Sequence, residues 1–549
     1  MSVADSVLAE RIEELRAELQ PLQRAAAEAF WQLNITGDER WQKESARLNV
    51  EIRLVLSRPE PYDFLQAALA SSNGSDPLLR RQAVLLRNAH AENQISAEAI
   101  ERMVGLETSL ENRFNTFRAE LDGKRVSDNE IREILERSDD PGLRQRAWEA
   151  SKQIGPEVEQ GLRELARLRN GAARDLGWPS FYSMSLELDE LDENEVFSIL
   201  DGVVAGSQAL WDGYKRALDE RHAARFGIGI DELRPWHYAD PFFQEAPAEG
   251  VDLDGWFEGR SIEDLVTDYF DAVGFDVRPI LARSDLYEKE GKCQHAFCAD
   301  IDRGGDIRVL CNLKETEYWV ATMLHELGHA VYDAGIDHSL PFFLRTSAHT
   351  IVTEASAMLF GRLSRSGAWL TRYAGMPDAD ARDADAALAE GRRAQHLYLA
   401  RWVPVMAWFE RELYRDPEQN LNRLWWDLVE RFQSLVRPEG RDAPDWAAKI
   451  HFSVAPAYYQ NYLLGEMTAS QLQAHLFELL GGGDVWERYV TTQEVAVFLN
   501  ERVYRLGRST DWRGAITNAT GRSLDPAPFL AELRGGTNEA PPQAPSSSL

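Results

Sequence analysis

Apolar and polar positions alternate with helical spacing over most of this chain. Val158, Leu162, Leu165, Leu168 and Leu176 recur on one side of a polar stretch, the pattern of a half-buried helix. Ser127 followed by Glu130 forms a capping box, with Val126 set as a staple ahead of Ile131, Ile134 and Leu135. Asp192 with Glu195 gives a second start signal before Val196, Phe197 and Leu200. This helix-rich pattern runs from about Ala4 to Arg221, and resumes from about Thr316 nearly to the end. Strand signals are few. Ile307-Arg308-Val309-Leu310 is β-rich and follows the turn signal Gly304-Gly305, so it is expected to pair with part of Cys293–Asp300 as a short hairpin. The predicted fold class is mainly α with one small β element. The tail from Gly535 to Leu549 is mostly Gly, Pro, Ala and Ser, and is expected to be disordered.

Composition narrows the functional classes. The 549 residues carry 60 Lys and Arg against 90 Asp and Glu, a net charge of −30. Such an excess repels phosphate backbones and anionic membrane surfaces, so neither nucleic acid nor membrane is an expected partner. No apolar run approaches the ~18 residues that a spanning helix needs. Met1-Ser2-Val3-Ala4-Asp5 lacks the basic and apolar regions of a signal peptide, and there are three cysteines. A cytoplasmic setting with reduced thiols is the expectation.

The chemistry lies in His325-Glu326-Leu327-Gly328-His329, an H-E-x-x-H inside a proline-free stretch from Thr316 to Tyr332. On a helix, residues four apart share a face, so His325 and His329 can both address one metal ion. Zn²⁺ suits paired imidazoles with an open position. Glu326 stands beside them as general base and later acid for attack on a carbonyl. The competing reading is a buried helix with two satisfied histidines. Downstream candidates for a third ligand are His338, His349 and Glu354. Glu354 is preferred, because it sits in a helix-like stretch, Thr353–Phe360, among Ala355, Ala357, Met358 and Leu359, where an unpaired carboxylate would be costly.

The motif and its surroundings resemble the angiotensin-converting-enzyme-like peptidases, with a secondary likeness to thimet-oligopeptidase-like enzymes. The residues that carry the resemblance are His295-Ala296, Cys311-Asn312-Leu313, His325 to His329, Leu340-Pro341, Glu354-Ala355 and Ala448-Lys449-Ile450-His451. It implies a two-lobed helical ellipsoid with a deep central cleft, its mouth covered by N-terminal helices, formed by residues 1–534 as a single peptidase domain. It also implies the site: zinc on His325, His329 and Glu354, with Glu326 as base. Tyr462 would stabilise the oxyanion, and His451 with His295 and Ala296 would bind the peptide backbone. Lys449 and Tyr459 would hold the substrate carboxylate. The implied activity is hydrolysis of short peptides, as a dipeptidyl carboxypeptidase or an oligopeptidase. A catalytically silent zinc-containing peptide-binding protein is the alternative, and an esterase or deacylase using the same metal is a further rival.

The chain departs from that family's pattern in three places. Met358 stands where the family has an Asp that orients a zinc-bound histidine, so another group must do this. Gln460 and Asn461 replace the arginine that serves chloride activation. The glutamine that helps bind the substrate carboxylate has only Asp240 near its place.

Overall fold

A computed structural model describes residues 3–71, 76–247, 251–482 and 484–535. Beyond Gly535, the tail expected to be disordered lies outside the described residues. The architecture is mainly α, with two small antiparallel hairpins among the described residues: Ala119–Leu121 with Lys124–Val126, and Phe297–Asp300 with Ile307–Leu310. The second is the hairpin expected from sequence, in the register Phe297 opposite Leu310 and Asp300 opposite Ile307. Its first strand opens at Phe297, so His295 and Ala296 precede the strand rather than ride on it. The first hairpin interrupts a stretch read as helix. Its turn, Asp122-Gly123, uses two left-handed residues (φ 51° and 77°), a signal the helical pattern outweighed.

Local signals set several helix ends. Ser127 and Glu130 form the capping box, with each side chain bonded to the other's backbone N–H. Asp192 accepts from the Glu195 N–H at the start of Glu193–Phe226, a 34-residue helix closed by left-handed Gly227.

One large apolar cluster extends from Met103 to Leu533 and includes the helices around the H-E-x-x-H motif. The N-terminal helices keep a separate cluster, with Leu8, Ile12, Leu15 and Leu19 of Val3–Thr36 against Leu79, Ala83 and Leu86 of Pro77–Ala91. That cluster rests on Phe342 and Phe343, twelve and eleven residues ahead of Glu354. No helix among the described residues is long and apolar enough to cross a membrane.

Candidate metal centre

Three helices meet at the site. His325, Glu326 and His329 project from Glu317–Gly335, hereafter the histidine helix. Glu354 comes from Thr350–Gly361, the glutamate helix. Gln460–Leu480, the tyrosine helix, packs on the other side of Glu354. Glycines allow this closeness. A Cβ on Gly328 would lie 2.7 Å from the Ala357 Cα, and one on Gly465 would lie 3.1 Å from the Glu354 Cβ. The Ser356 hydroxyl donates to the Gly328 carbonyl at 2.9 Å, tying the histidine and glutamate helices at their nearest point.

One nitrogen each from His325 and His329 and a Glu354 oxygen lie within 4.8 Å of one another. His325 Nε2 is 3.8 Å from Glu354 Oε2, and the imidazole rings are nearly perpendicular. Ligands bonded at ~2.0–2.2 Å around a tetrahedral ion sit roughly 3.3 Å apart, so seating one calls for about 0.5 Å of closure between His325 and Glu354 and at most about 1.5 Å for any pair. Burial pushes His325 down to about 4. Burial, then His325, pushes His329 down to about 3. Both are therefore neutral near pH 7, the form that binds metal. Burial and then Glu354 raise Glu326 to about 8, and burial and then Glu466 raise Glu354 to about 7. Such a largely half-buried, cation-poor group of carboxyls and neutral imidazoles fits a divalent ion, whose charge would restore both carboxylates.

The surrounding contacts orient these groups. His329 Nδ1 is 2.8 Å from the Thr353 hydroxyl, and a proton on Nδ1 leaves Nε2 free for a metal. Thr353 thus fills the orienting part that Met358 cannot. The Glu326 carboxylate accepts from the Cys298 backbone N–H on the hairpin. Behind the site Glu466 is ion-paired to Arg362 and His396; against burial, these hold it down to about 2. His338 is exposed in a turn. His349 caps the glutamate helix, its Nδ1 accepting from the Ile351 N–H at 3.0 Å and its Nε2 lying 2.9 Å from the Asp189 carbonyl oxygen. Neither joins the cluster.

A pocket of about 500 Å³ opens beside the centre, lined in part by His295, Ala296, Tyr318, His325 and Glu326. Tyr462 is half-buried and within electrostatic reach of Glu354. Its ring centroid is 5.4 Å from those of Tyr458 and Tyr459. The His451 ring lies tilted against Tyr459, centroids 4.9 Å apart, and its Nδ1 is buried with no partner among the described residues.

Lys449 is only 7% exposed, so it is no solvated surface charge. Its ammonium donates to Gln244 Oε1 at 2.8 Å and lies 5.1 Å from the Trp402 ring centroid; Trp402 Nε1 in turn donates to the Tyr459 hydroxyl at 3.2 Å. Burial lowers Lys449 to about 8. Gln244 was missed from sequence. Asp240, the nearest residue by alignment, instead accepts the Phe242 and Gln244 backbone N–H groups and shapes the loop that carries Gln244. Cys293, Cys298 and Cys311 are all unpaired, and the Cys311 Sγ sits 3.7 Å from the Met323 sulfur.

Residues 449–536 match the Carboxypeptidase Taq (M32) metallopeptidase family. The match supports a zinc metallopeptidase. It covers Lys449, His451, Tyr459 and Tyr462, whereas His325, His329 and Glu354 lie outside it. The family returned is neither the converting-enzyme-like nor the thimet-oligopeptidase-like one; the motif resemblance and the match agree at the level of zinc metallopeptidase. No curated protein matches the chain.

Proposed function

We propose that this protein is a zinc-dependent peptidase that trims short peptides from the C-terminus. The observation that carries the reading is the convergence of His325, His329 and Glu354 donors within 4.8 Å, with Glu326 one residue from the first ligand. We take residues 1–534 as one peptidase domain. In support, the apolar cluster runs to Leu533 and the N-terminal helices rest on Phe342 and Phe343.

When bound, zinc supplies Lewis-acid polarisation of the scissile carbonyl and acidifies a water. Glu326, aimed by the Cys298 N–H, takes the proton from the attacking water and delivers it to the leaving amine. The Tyr462 hydroxyl and the His451 ring donate to the oxygen that gains negative charge. Lys449 supplies the cation for the substrate's terminal carboxylate, while Gln244 and Tyr459 supply neutral hydrogen bonds. His295 and Ala296, at the pocket edge, hold the peptide backbone. The buried Lys449 cation with its Gln244 contact and the carboxypeptidase description of the matching family both favour action at the C-terminus.

The test is to digest one defined decapeptide with the zinc-loaded protein and weigh the products. Loss of one or two residues at a time from the C-terminus is expected, and the step size assigns carboxypeptidase or dipeptidyl carboxypeptidase action. Internal cuts alone would replace this with an oligopeptidase. A Glu326→Gln protein should keep its zinc and lose nearly all turnover. A wild type that holds zinc and leaves every peptide intact would support the peptide-binding alternative.

A further inference from the structure

A second cavity, of about 350 Å³, lies between the N-terminal helices and the glutamate helix. Leu19, Leu86 and Phe343 give it apolar walls, and Arg303 and Arg508 give it two cations. Arg303 stands at the turn of the Phe297–Leu310 hairpin with its guanidinium 4.7 Å from the Phe342 ring centroid; Arg508 follows the kink at Gly507. Neither guanidinium has a hydrogen-bond acceptor or ion-pair partner among the described residues. The Arg508 Nε is buried with nothing to donate to, and the Gln23 amide oxygen on the same wall is also unpartnered.

Four carboxylates act on these cations at longer range, and none pairs with them directly among the described residues. Asp189 lines the cavity, but its carboxylate lies 3.1 Å from His349 Nε2. Glu190 is within reach of Arg508 yet is ion-paired to Arg81. Glu92 also faces Arg508, and Asp300 faces Arg303 while accepting its own loop's N–H groups. Burial lowers both arginines, Arg303 to about 10, and the Arg508 guanidinium lowers Arg303 further. Two half-buried like charges sharing one cavity constitute a site for an anion.

Position selects the anion. Thr350 lines the cavity and lies four residues before Glu354, on the same face of the glutamate helix. Tyr458 reaches electrostatically to both Glu354 and Asp189, whereas Tyr459 reaches toward Asp240 and Glu245 beside Lys449. The cavity thus adjoins Glu354 through Thr350, and Lys449 adjoins Tyr459 through Trp402. We infer that the cavity is a subsite for an acidic side chain, Asp or Glu, on the part of a peptide that precedes the scissile bond. This rests on the peptidase reading, with the peptide's C-terminus at Lys449. It also gives the strongly acidic protein a local means of accepting acidic substrates that its overall field disfavours.

The experiment measures binding separately from turnover. Heptapeptides with free C-termini carry one Glu, moved position by position, against Gln controls. Their affinities for the zinc-loaded Glu326→Gln protein are measured by calorimetry. At one or two adjacent positions Glu should bind at least roughly tenfold more tightly than Gln, the scale of a charge-assisted pair. Arg303→Gln and Arg508→Gln should each reduce that preference severalfold, while the all-Gln peptide keeps its affinity, which shows the fold intact. No preference at any position, or a preference that survives in both variants, overturns the proposal. Inorganic phosphate that binds more tightly than any Glu peptide and erases the preference would make this a free-anion site, and also overturns it. A clear preference without cleavage by the wild type would leave the subsite standing and remove the peptidase reading.

Discussion

Gly328, the fourth residue of the H-E-x-x-H motif, is expected to be the tightest steric constraint on the metal centre. A methyl group there would meet the Ala357 Cα at 2.7 Å and both the Ser356 carbonyl oxygen and Phe360 Cδ2 at 3.0 Å. Two of these obstacles are backbone atoms and cannot rotate away. Restoring an ordinary 3.4 Å contact from 2.7 Å would part the two helices by about 0.7 Å. Metal–ligand distances tolerate only about 0.2 Å, so Glu354 would be drawn off the ion. In Gly328→Ala, removing glycine from a helix gains about 1 kcal/mol and overpacking costs about 1–3 kcal/mol, so stability should fall by about 0–2 kcal/mol. Zinc affinity should fall roughly 10–100-fold, comparable to loss of an orienting contact. A chelator competition titration measures the affinity, and a thermal melt of the metal-free protein follows the fold. Gly361→Ala, whose methyl would meet only the His325 side chain at 3.2 Å, should be milder. Gly171→Ala, with open space around its Cβ, should leave zinc binding unchanged. A Gly328→Ala protein with wild-type zinc affinity and an undiminished melting temperature would refute the reasoning.

Other consequences concern the groups around the ion. Thr353→Val keeps the side-chain shape but removes the hydroxyl at His329, so zinc affinity should drop roughly 10–100-fold in the same titration, with the melt of the metal-free protein unchanged. Tyr462→Phe should lower turnover roughly 10²–10³-fold with little change in KM, measured on a single peptide; an unchanged turnover number removes Tyr462 from the chemistry. Lys449 is charged below its pKa of about 8 and neutral above it, so KM for peptides with a free C-terminus should climb as pH passes that value, while C-terminal amides show no such rise. A KM that stays flat about a unit beyond it would separate Lys449 from carboxylate binding.

The parts legible in the sequence were those set by local periodicity. His325 and His329 share a face because a helix repeats every 3.6 residues, and the capping box at Ser127 and Glu130 acts over three residues. The hairpin could be read because Gly304-Gly305 and a β-branched run adjoin. Long-range packing was less legible. Thr353 orients His329 from the residue before Glu354, and nothing in its neighbours distinguishes it from an ordinary helix threonine. Gln244 reaches Lys449 across 205 residues, from a loop without regular structure. Lys449 could be read as a surface charge because its burial depends on Phe242 and Trp402, both remote in sequence. The unpaired Arg303 and Arg508 belong to different parts of the chain, and only the folded protein brings them together.

The most direct measurement is anomalous X-ray scattering at the zinc edge from crystals of the zinc-loaded protein. One strong peak is expected, bounded by His325 Nε2, His329 Nε2 and the Glu354 carboxylate at ~2.0–2.2 Å, with its remaining side facing the pocket beside Glu326. No peak among these three residues, with zinc bound elsewhere at one equivalent, would contradict the account.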